Sequence, residues 1–460
     1  MGTSVAAPTE QTATEHVPAA QAAAVAAAPA DSSTRTGLLI IGASQSGVQL
    51  AVSLRALGFD EHITLLGDED HRPYQRPALS KEFLQGTVES ESLIFRSNEY
   101  WAEHNVDLVK GEYIVRIDKE ADGSGVAHSS SGRQFPFKRL ALTVGARARK
   151  LEIEGGGLGG VLYLRNADDA LALKARVGDA QDVVVIGGGF IGLEAASSLQ
   201  KMGKNVTVLE FGPRLVGRAV GEETAEYFLQ AHRARGLDIR LSTSAKRFTA
   251  GAGGADDGGA VAGVELQDGT VLPAQIVLVG IGVIPNTQLA EQLGLAVDNG
   301  IVVDRFALAS DGSTVAIGDC ANMPNPVPGS QPGERIRLES VNNAIEHAKV
   351  AAYSLTGRRE EYAGIPWFWS NQADLKLQIA GLCNGYDQTV LRRDGERGKF
   401  SVLYYRLGRV IAADCVNAPL DFMAVKNALA KGHNIPAGAA ADPATPPQDD
   451  HHGQLTALRQ

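Results

Sequence analysis

The chain has 460 residues, 44% hydrophobic and 21% charged, and a formal net charge of −10. That length suits about two to four domains, the composition is that of a globular enzyme, and the acidic balance argues against a nucleic-acid binder. No apolar run approaches the roughly twenty residues of a membrane span. The three cysteines, Cys320, Cys383 and Cys415, show no CxxC and no clustered Cys/His set. No metal site, resident iron–sulfur cluster or redox dithiol is therefore expected, and a reducing cytoplasm is the expected location.

Residues 1–35 are rich in Ala, Thr, Pro and Gln and lack the basic start of a targeting segment, so they read as a disordered extension. Leu38-Leu-Ile-Ile-Gly42 then runs from a buried strand into a Gly turn that continues to Gly47. A helix over 48–57 and a second strand, Ile63-Thr-Leu-Leu, lead to Asp68, 21 residues beyond Gly47. This is the dinucleotide-binding fingerprint, with Ser44 in place of its second glycine. The Pro-punctuated loop 71–81 carries Arg72, Arg76 and Lys81. It either lays cations beside a phosphate or a flavin, or is a solvated basic loop.

The Gly-rich stretch 155–160 marks a boundary, and the fingerprint then recurs in stronger form. Val183-Val-Val-Ile enters Gly187, Gly189 and Gly192, an Ala-rich helix follows, and the next strand ends in Glu210, 18 residues beyond Gly192. The glycines permit the turn, the approach of the backbone to a pyrophosphate and close helix–strand packing, while Glu210 accepts from a ribose hydroxyl. An acid there repels a 2′-phosphate, which favours NAD over NADP. Residues 251–259 read as an exposed loop tip. The strand beginning at 276 is expected to return the chain to the first unit. Asp319 ends a strand in a Gly turn, where it either accepts from a ribityl or ribose hydroxyl or caps a helix, and 342–355 is helical. From Pro366 an antiparallel meander and a helix over 420–429 make a small third unit, and the Pro-rich tail from 437 reads as disordered.

Arg76-Pro-Ala-Leu-Ser-Lys81, Gly187-Gly-Gly-Phe-Ile-Gly-Leu-Glu194, Gly280-Ile-Gly-Val-Ile-Pro-Asn286, Ala316-Ile-Gly-Asp-Cys-Ala321, Arg337-Leu-Glu-Ser-Val341 and Pro366-Trp-Phe-Trp-Ser370 together resemble the flavoprotein ferredoxin reductases of the putidaredoxin reductase type. These belong to the glutathione-reductase-like superfamily. The resemblance implies an α/β fold with FAD on a discontinuous unit (36–152 and 276–357), NADH on 153–275, and a C-terminal α+β reductase domain over 358–436. It places FAD contacts at Ser46, Asp68, Lys81, Ile114, Arg165, Asp319 and Val341, with Lys81 pairing Glu194 beside the flavin and Trp369 near the flavin edge. Hydride from NADH would pass to FAD, and single electrons to a 2Fe-2S ferredoxin serving an oxygenase. A rubredoxin, a small-molecule acceptor, or an NADH-sensing role of the apoptosis-inducing-factor type are the alternatives. A monomer or dimer is expected. Ala148 and Asn371 depart from the usual pattern, and Arg335 and Arg337 are candidates for a basic docking patch.

Overall fold

The computed structural model describes residues 36–251, 259–327, 330–443, 445 and 447–449. The expectations for residues 1–35, for the tip of the loop at 252–258 and for the tail beyond 449 lie outside these residues.

The first unit is built on a seven-stranded sheet. Thr36–Ile41 sits at its centre with Ile63–Leu66 and Val106–Val109 on one side and Gln134–Leu142 on the other. Gly125–Ser129 and Ile114–Lys119 extend it as an antiparallel hairpin, and Val315–Ala316 pairs with Gln134–Leu142. Leu38, Leu39 and Ile40 are fully buried because helices and loops cover both faces, which is why the strand reads as an unbroken apolar run rather than an alternating one.

The second unit is a five-stranded parallel sheet in the order Asp238–Arg240, Asn205–Leu209, Asp182–Ile186, Ile276–Val279, Val161–Tyr163. One expectation is corrected here. The strand Ile276–Val279 does not open the return to the first unit; it lies between Asp182–Ile186 and Val161–Tyr163 and covers an edge that would otherwise leave the central strand's peptide groups unpaired. The return begins after Gly280, where Val283–Pro285 pairs with Ala146–Ala148 to form a two-stranded crossing between the units.

The third unit is an antiparallel sheet ordered Trp367–Gln372, Leu375–Gly381, Arg409–Val416, Lys399–Arg406, Gln388–Asp394, closed by the helix Pro419–Lys431. Its edge strand, Gln-Thr-Val-Leu-Arg-Arg-Asp, was not legible as a strand because only two of its seven residues are apolar. The tail expected to be disordered from 437 is corrected for its described residues, 437–443, 445 and 447–449. Ala437–Ala440 is helical with Ala440 fully buried, and Arg392 donates to the carbonyls of Asp442 and Thr445 at 2.7 and 2.6 Å. The described chain beyond this helix docks through its carbonyls.

The second and third units share one hydrophobic core, in which Val208, Phe228 and Leu199 pack in the same cluster as Leu377, Phe400 and Tyr404. Phe190 meets Phe368 with ring centroids 4.6 Å apart, and Tyr227 stacks on Phe400 at 4.3 Å.

Candidate active site

Both glycine turns have the shape of a phosphate cradle. In the second unit Gly187 has φ +110°, and a Cβ there would stand 2.3 Å from the carbonyl oxygen of Gly280; one on Gly192 would stand 2.1 Å from that of Gly187. Nothing lies within 4 Å of a Cβ built on Gly189. The first and third glycines are therefore required by packing, and the second fronts open space. No side chain caps the following helix, Phe190–Lys201, so its first-turn N–H groups and its positive end face that space. Glu210 stands at the lip, accepting from the backbone N–H of Gly188 at 2.7 Å and of Gly212 at 2.6 Å.

The first unit repeats the arrangement. A Cβ on Gly42 would lie 2.3 Å from the Thr143 carbonyl oxygen and one on Gly47 2.0 Å from that of Gly42, while the helix Gln45–Ala56 likewise has no side-chain cap. Ser44, the departure from glycine, has its hydroxyl bonded by Arg76 Nε at 3.1 Å. Arg76 also pairs with Glu69, which accepts from Tyr74 Oη at 2.6 Å. The loop cation is thus fixed at the turn and is not a freely solvated charge.

Several expected FAD positions converge around this turn. Arg165 Nη2 donates to Asp319 Oδ2 at 3.0 Å and Arg165 Nε to the Ala146 carbonyl at 2.9 Å. Ser46 is buried against Gly318, where a Cβ would meet its Oγ at 2.2 Å. Burial holds the His347 imidazole down to about 3, so it is neutral, and its Nδ1 accepts from the Gly318 N–H at 3.4 Å and steadies the Asp319 turn. Val341 opens the helix Val341–Leu355, capped by Ser340. Cys320, next to Asp319, is wholly buried, and burial pushes its thiol up to about 12, which makes it a packed thiol.

Lys81 and Glu194 come together from the first two units, and a serine of the third joins them. Lys81 Nζ donates to Glu194 Oε2 at 2.6 Å, and Ser80 Oγ donates to the same oxygen at 2.6 Å. Ser370 Oγ donates to Glu194 Oε1 at 2.7 Å; the adjacent Trp369 is half-buried, with its ring 5.5 Å from that of Trp367.

Three expectations fit less well. Ile114 packs in the core with Leu66 and Ile117, so its side chain does not face the cleft. Asp68 is exposed and one residue further along than its counterpart: the carbonyls of Leu66 and Leu209 accept from Gly42 and Gly187 respectively, which makes Gly67, not Asp68, the equivalent of Glu210. A carboxylate side chain has no room at 67, where a Cβ would already be 2.9 Å from that of Ala43. Arg335 donates to the carbonyls of Val303 and Asn322, and Arg337 pairs with Glu339 and reaches the Asp319 carbonyl at 3.1 Å. Arg337 is thereby neutralised and does not offer a free charge for docking, whereas Arg335, held only by neutral carbonyls at a half-buried position, keeps its charge. Sequence reasoning missed Gln372 and His232, which continue the Ser370 contact. Ser370 and Gln372 alternate on one face of a strand, a legible signal, but His232 lies 140 residues from Gln372.

Comparison with known proteins accords with this geometry. Residues 36–352 match the pyridine nucleotide-disulphide oxidoreductase family, and residues 367–449 match the reductase C-terminal family. Rhodocoxin reductase from Rhodococcus erythropolis is 42% identical over 405 residues, covering 88% of this chain and 92% of the relative. Among solved structures, a ferredoxin reductase from Rhodopseudomonas palustris is 39% identical with a TM-score of 0.83, over 89% of this chain and 98% of that one. Putidaredoxin reductase, in covalent complex with putidaredoxin, is 33% identical with a TM-score of 0.83, over 92% of this chain and 99% of that one. The chain belongs to the pyridine nucleotide-disulphide oxidoreductase family. Within it, both matched segments and the full-length relatives define an oxidoreductase of the ferredoxin–NAD(P)+ reductase type, a flavoprotein that uses FAD and NAD(P)H. Among the described residues no helix is long and apolar enough to cross a membrane.

Proposed function

We propose that this chain takes hydride from NADH and delivers single electrons to a 2Fe-2S ferredoxin that serves an oxygenase. The observation that carries the reading is the position of Ser80. This hydroxyl stands beside Lys81 and Glu194 in the loop where disulphide-reducing relatives place a cysteine, while Cys320, Cys383 and Cys415 are separate free thiols. Electrons then have no thiol to enter and leave the protein from the flavin itself.

On this reading FAD lies on 36–152 and the return segment from about 280 to 357. Gly42, Gly47 and Arg76 hold its phosphates, Ser46, Arg165 and Asp319 its ribityl chain, and Asp68 the adenine end from outside the strand. Val341 supplies a helix N-terminus, and Ile114 serves through its backbone alone. NAD lies on 153–279 against Gly187, Gly189, Gly192 and Glu210. When bound, FAD supplies the exchange between two-electron hydride uptake and one-electron release. The residues of the chain align and shield: Lys81 presents a fixed ammonium, Glu194 neutralises it, and Trp369 covers the edge of the site. Glu210 favours NADH because a carboxylate repels a 2′-phosphate.

Anaerobic stopped-flow absorbance tests the reading. NADH is expected to bleach the flavin faster than NADPH, and an added 2Fe-2S ferredoxin to restore its colour rapidly. Recolouring by rubredoxin or a quinone but not by ferredoxin would transfer the assignment to that acceptor, and a long-lived reduced complex with an altered oligomeric state would point to a sensor.

A further inference from the structure

The hydrogen bonds that end on Glu194 form a string with a fixed donor order. Ser370 Oγ donates to Glu194 Oε1 at 2.7 Å, Gln372 Nε2 donates to Ser370 Oγ at 3.1 Å, and His232 Nε2 lies 2.7 Å from Gln372 Oε1. His232, Ser370 and Gln372 are each fully buried. Burial lowers the His232 pKa, which leaves the ring neutral with one proton, and its Nδ1 has no partner among the described residues. With the proton on Nε2, the unpartnered atom is a lone pair. Were the proton on Nδ1, the amide of Gln372 would have to turn over, an N–H would be buried without an acceptor, and the Ser370 hydroxyl would be drawn away from Glu194. An orphaned buried N–H is the rarer and costlier defect. The imidazole therefore fixes the amide, and the amide leaves the Ser370 proton a single acceptor, Glu194.

We infer that Ser370 is a positioning residue for the Lys81–Glu194 pair, its hydroxyl aimed by Gln372 and His232. The inference rests on the reading of that pair as lying beside the flavin. Glu194 Oε2 is shared by Ser80 and Lys81 from the first unit, and Oε1 is held from the third unit by Ser370. Without that third donor a buried carboxylate oxygen is left unsatisfied, the carboxylate turns, and the ammonium moves with it. The chemistry felt at the flavin is thus set in part by a strand and a histidine that need not touch it.

The test uses the FAD-loaded protein and three readouts: the reduction potential of the flavin by dye titration, its visible absorption bands, and the thermal midpoint. Ser370→Ala, Gln372→Met and His232→Phe are expected to move the potential and the bands in the same direction as Glu194→Gln, in decreasing order. Ser370→Ala should also slow bleaching by NADH about tenfold. Ser370→Thr, which keeps the hydroxyl, is expected to restore both readouts. Arg235→Ala breaks another contact between the same two units, the pair with Asp374 at 2.7 and 2.8 Å, and is expected to lower only the thermal midpoint. If Glu194→Gln moves the potential while the Ser370, Gln372 and His232 variants lower only the midpoint, the string is interdomain glue and the inference falls alone. If Glu194→Gln leaves potential and bands at wild-type values, the reading of the pair falls and takes the inference with it.

Discussion

Lys81 Nζ lies 2.6 Å from Glu194 Oε2, with side chains only 10% and 8% exposed, although one residue is on the loop of the first unit and the other on a helix of the second. Removing either partner strands the other. Lys81→Met or Glu194→Leu alone is expected to cost on the order of 3–5 kcal/mol, read as a fall in the temperature at which flavin is released. The double variant is expected to recover part of that loss, because two apolar side chains leave no unpaired charge. Additive losses in the cycle would show that the pair is not coupled.

Glu210 receives two backbone N–H groups, from Gly188 and Gly212, which fixes its carboxylate at the mouth of the second glycine turn. Glu210→Ala is expected to raise KM for NADH and to narrow the NADH-to-NADPH ratio of kcat/KM by about tenfold, or ~1.4 kcal/mol. Steady-state rates with each nucleotide check this, and an unchanged ratio would place selectivity elsewhere.

Asp414 is fully buried between the second and third units, where it accepts from Tyr404 Oη at 2.5 Å. Burial raises its pKa from 3.8 to about 6; the hydrogen bond from Tyr404 opposes the shift and the nearby Glu223 adds to it. The folded state thus holds this proton more tightly than the unfolded chain. The stabilisation is complete below about pH 4 and is lost as pH rises through about 6. Asp414→Asn keeps an acceptor for Tyr404 and removes the titration. Its midpoint is expected to exceed that of the wild type by a margin that widens between pH 4 and 7, to the order of 2–3 kcal/mol. Parallel pH curves would refute this.

Arg392 is 2% exposed at its side chain and holds Asp421 at 2.9 Å together with the carbonyls of Ala440, Asp442 and Thr445. Ending the chain at residue 436 leaves those donors without their carbonyl partners. Both that truncation and Arg392→Met are expected to lower the thermal midpoint, the second by an amount typical of breaking a buried pair, ~3–5 kcal/mol. Limited proteolysis is expected to cut the variant near residue 440 first.

The parts of the fold that follow a local rule were legible in the residues. Gly187, Gly189 and Gly192 announce their turn because three different steric demands fall at fixed spacing, and a doubly buried strand such as Val183–Ile186 cannot hide its apolar run. What the sequence concealed depends on partners distant along the chain. The strand Ile276–Val279 has the same texture whichever sheet receives it, so only its pairing with Val183–Ile186 assigns it. The polar edge strand Gln388–Asp394 and the docked tail show no periodicity. Glu194 could be paired with Lys81 from the resemblance, but the contact through Gln372 to His232 joins residues whose separation obeys no rule. The offset of Asp68 by one position was masked because an acid near the end of a strand satisfies the pattern even when the strand stops one residue early.

The common core of the second and third units limits how such a reductase can be rebuilt. To change the electron acceptor by grafting a C-terminal domain from a relative, the recipient must supply faces shaped for Phe400, Phe368 and Tyr404 where Tyr227, Phe190 and Gly221 now stand. A transplant cut at the linker before Pro366 separates halves of one packed interior. The nucleotide unit and the C-terminal domain have to move together, and with them the first-unit loop that carries Tyr74, Leu79, Lys81 and Phe83, which packs into the same interior.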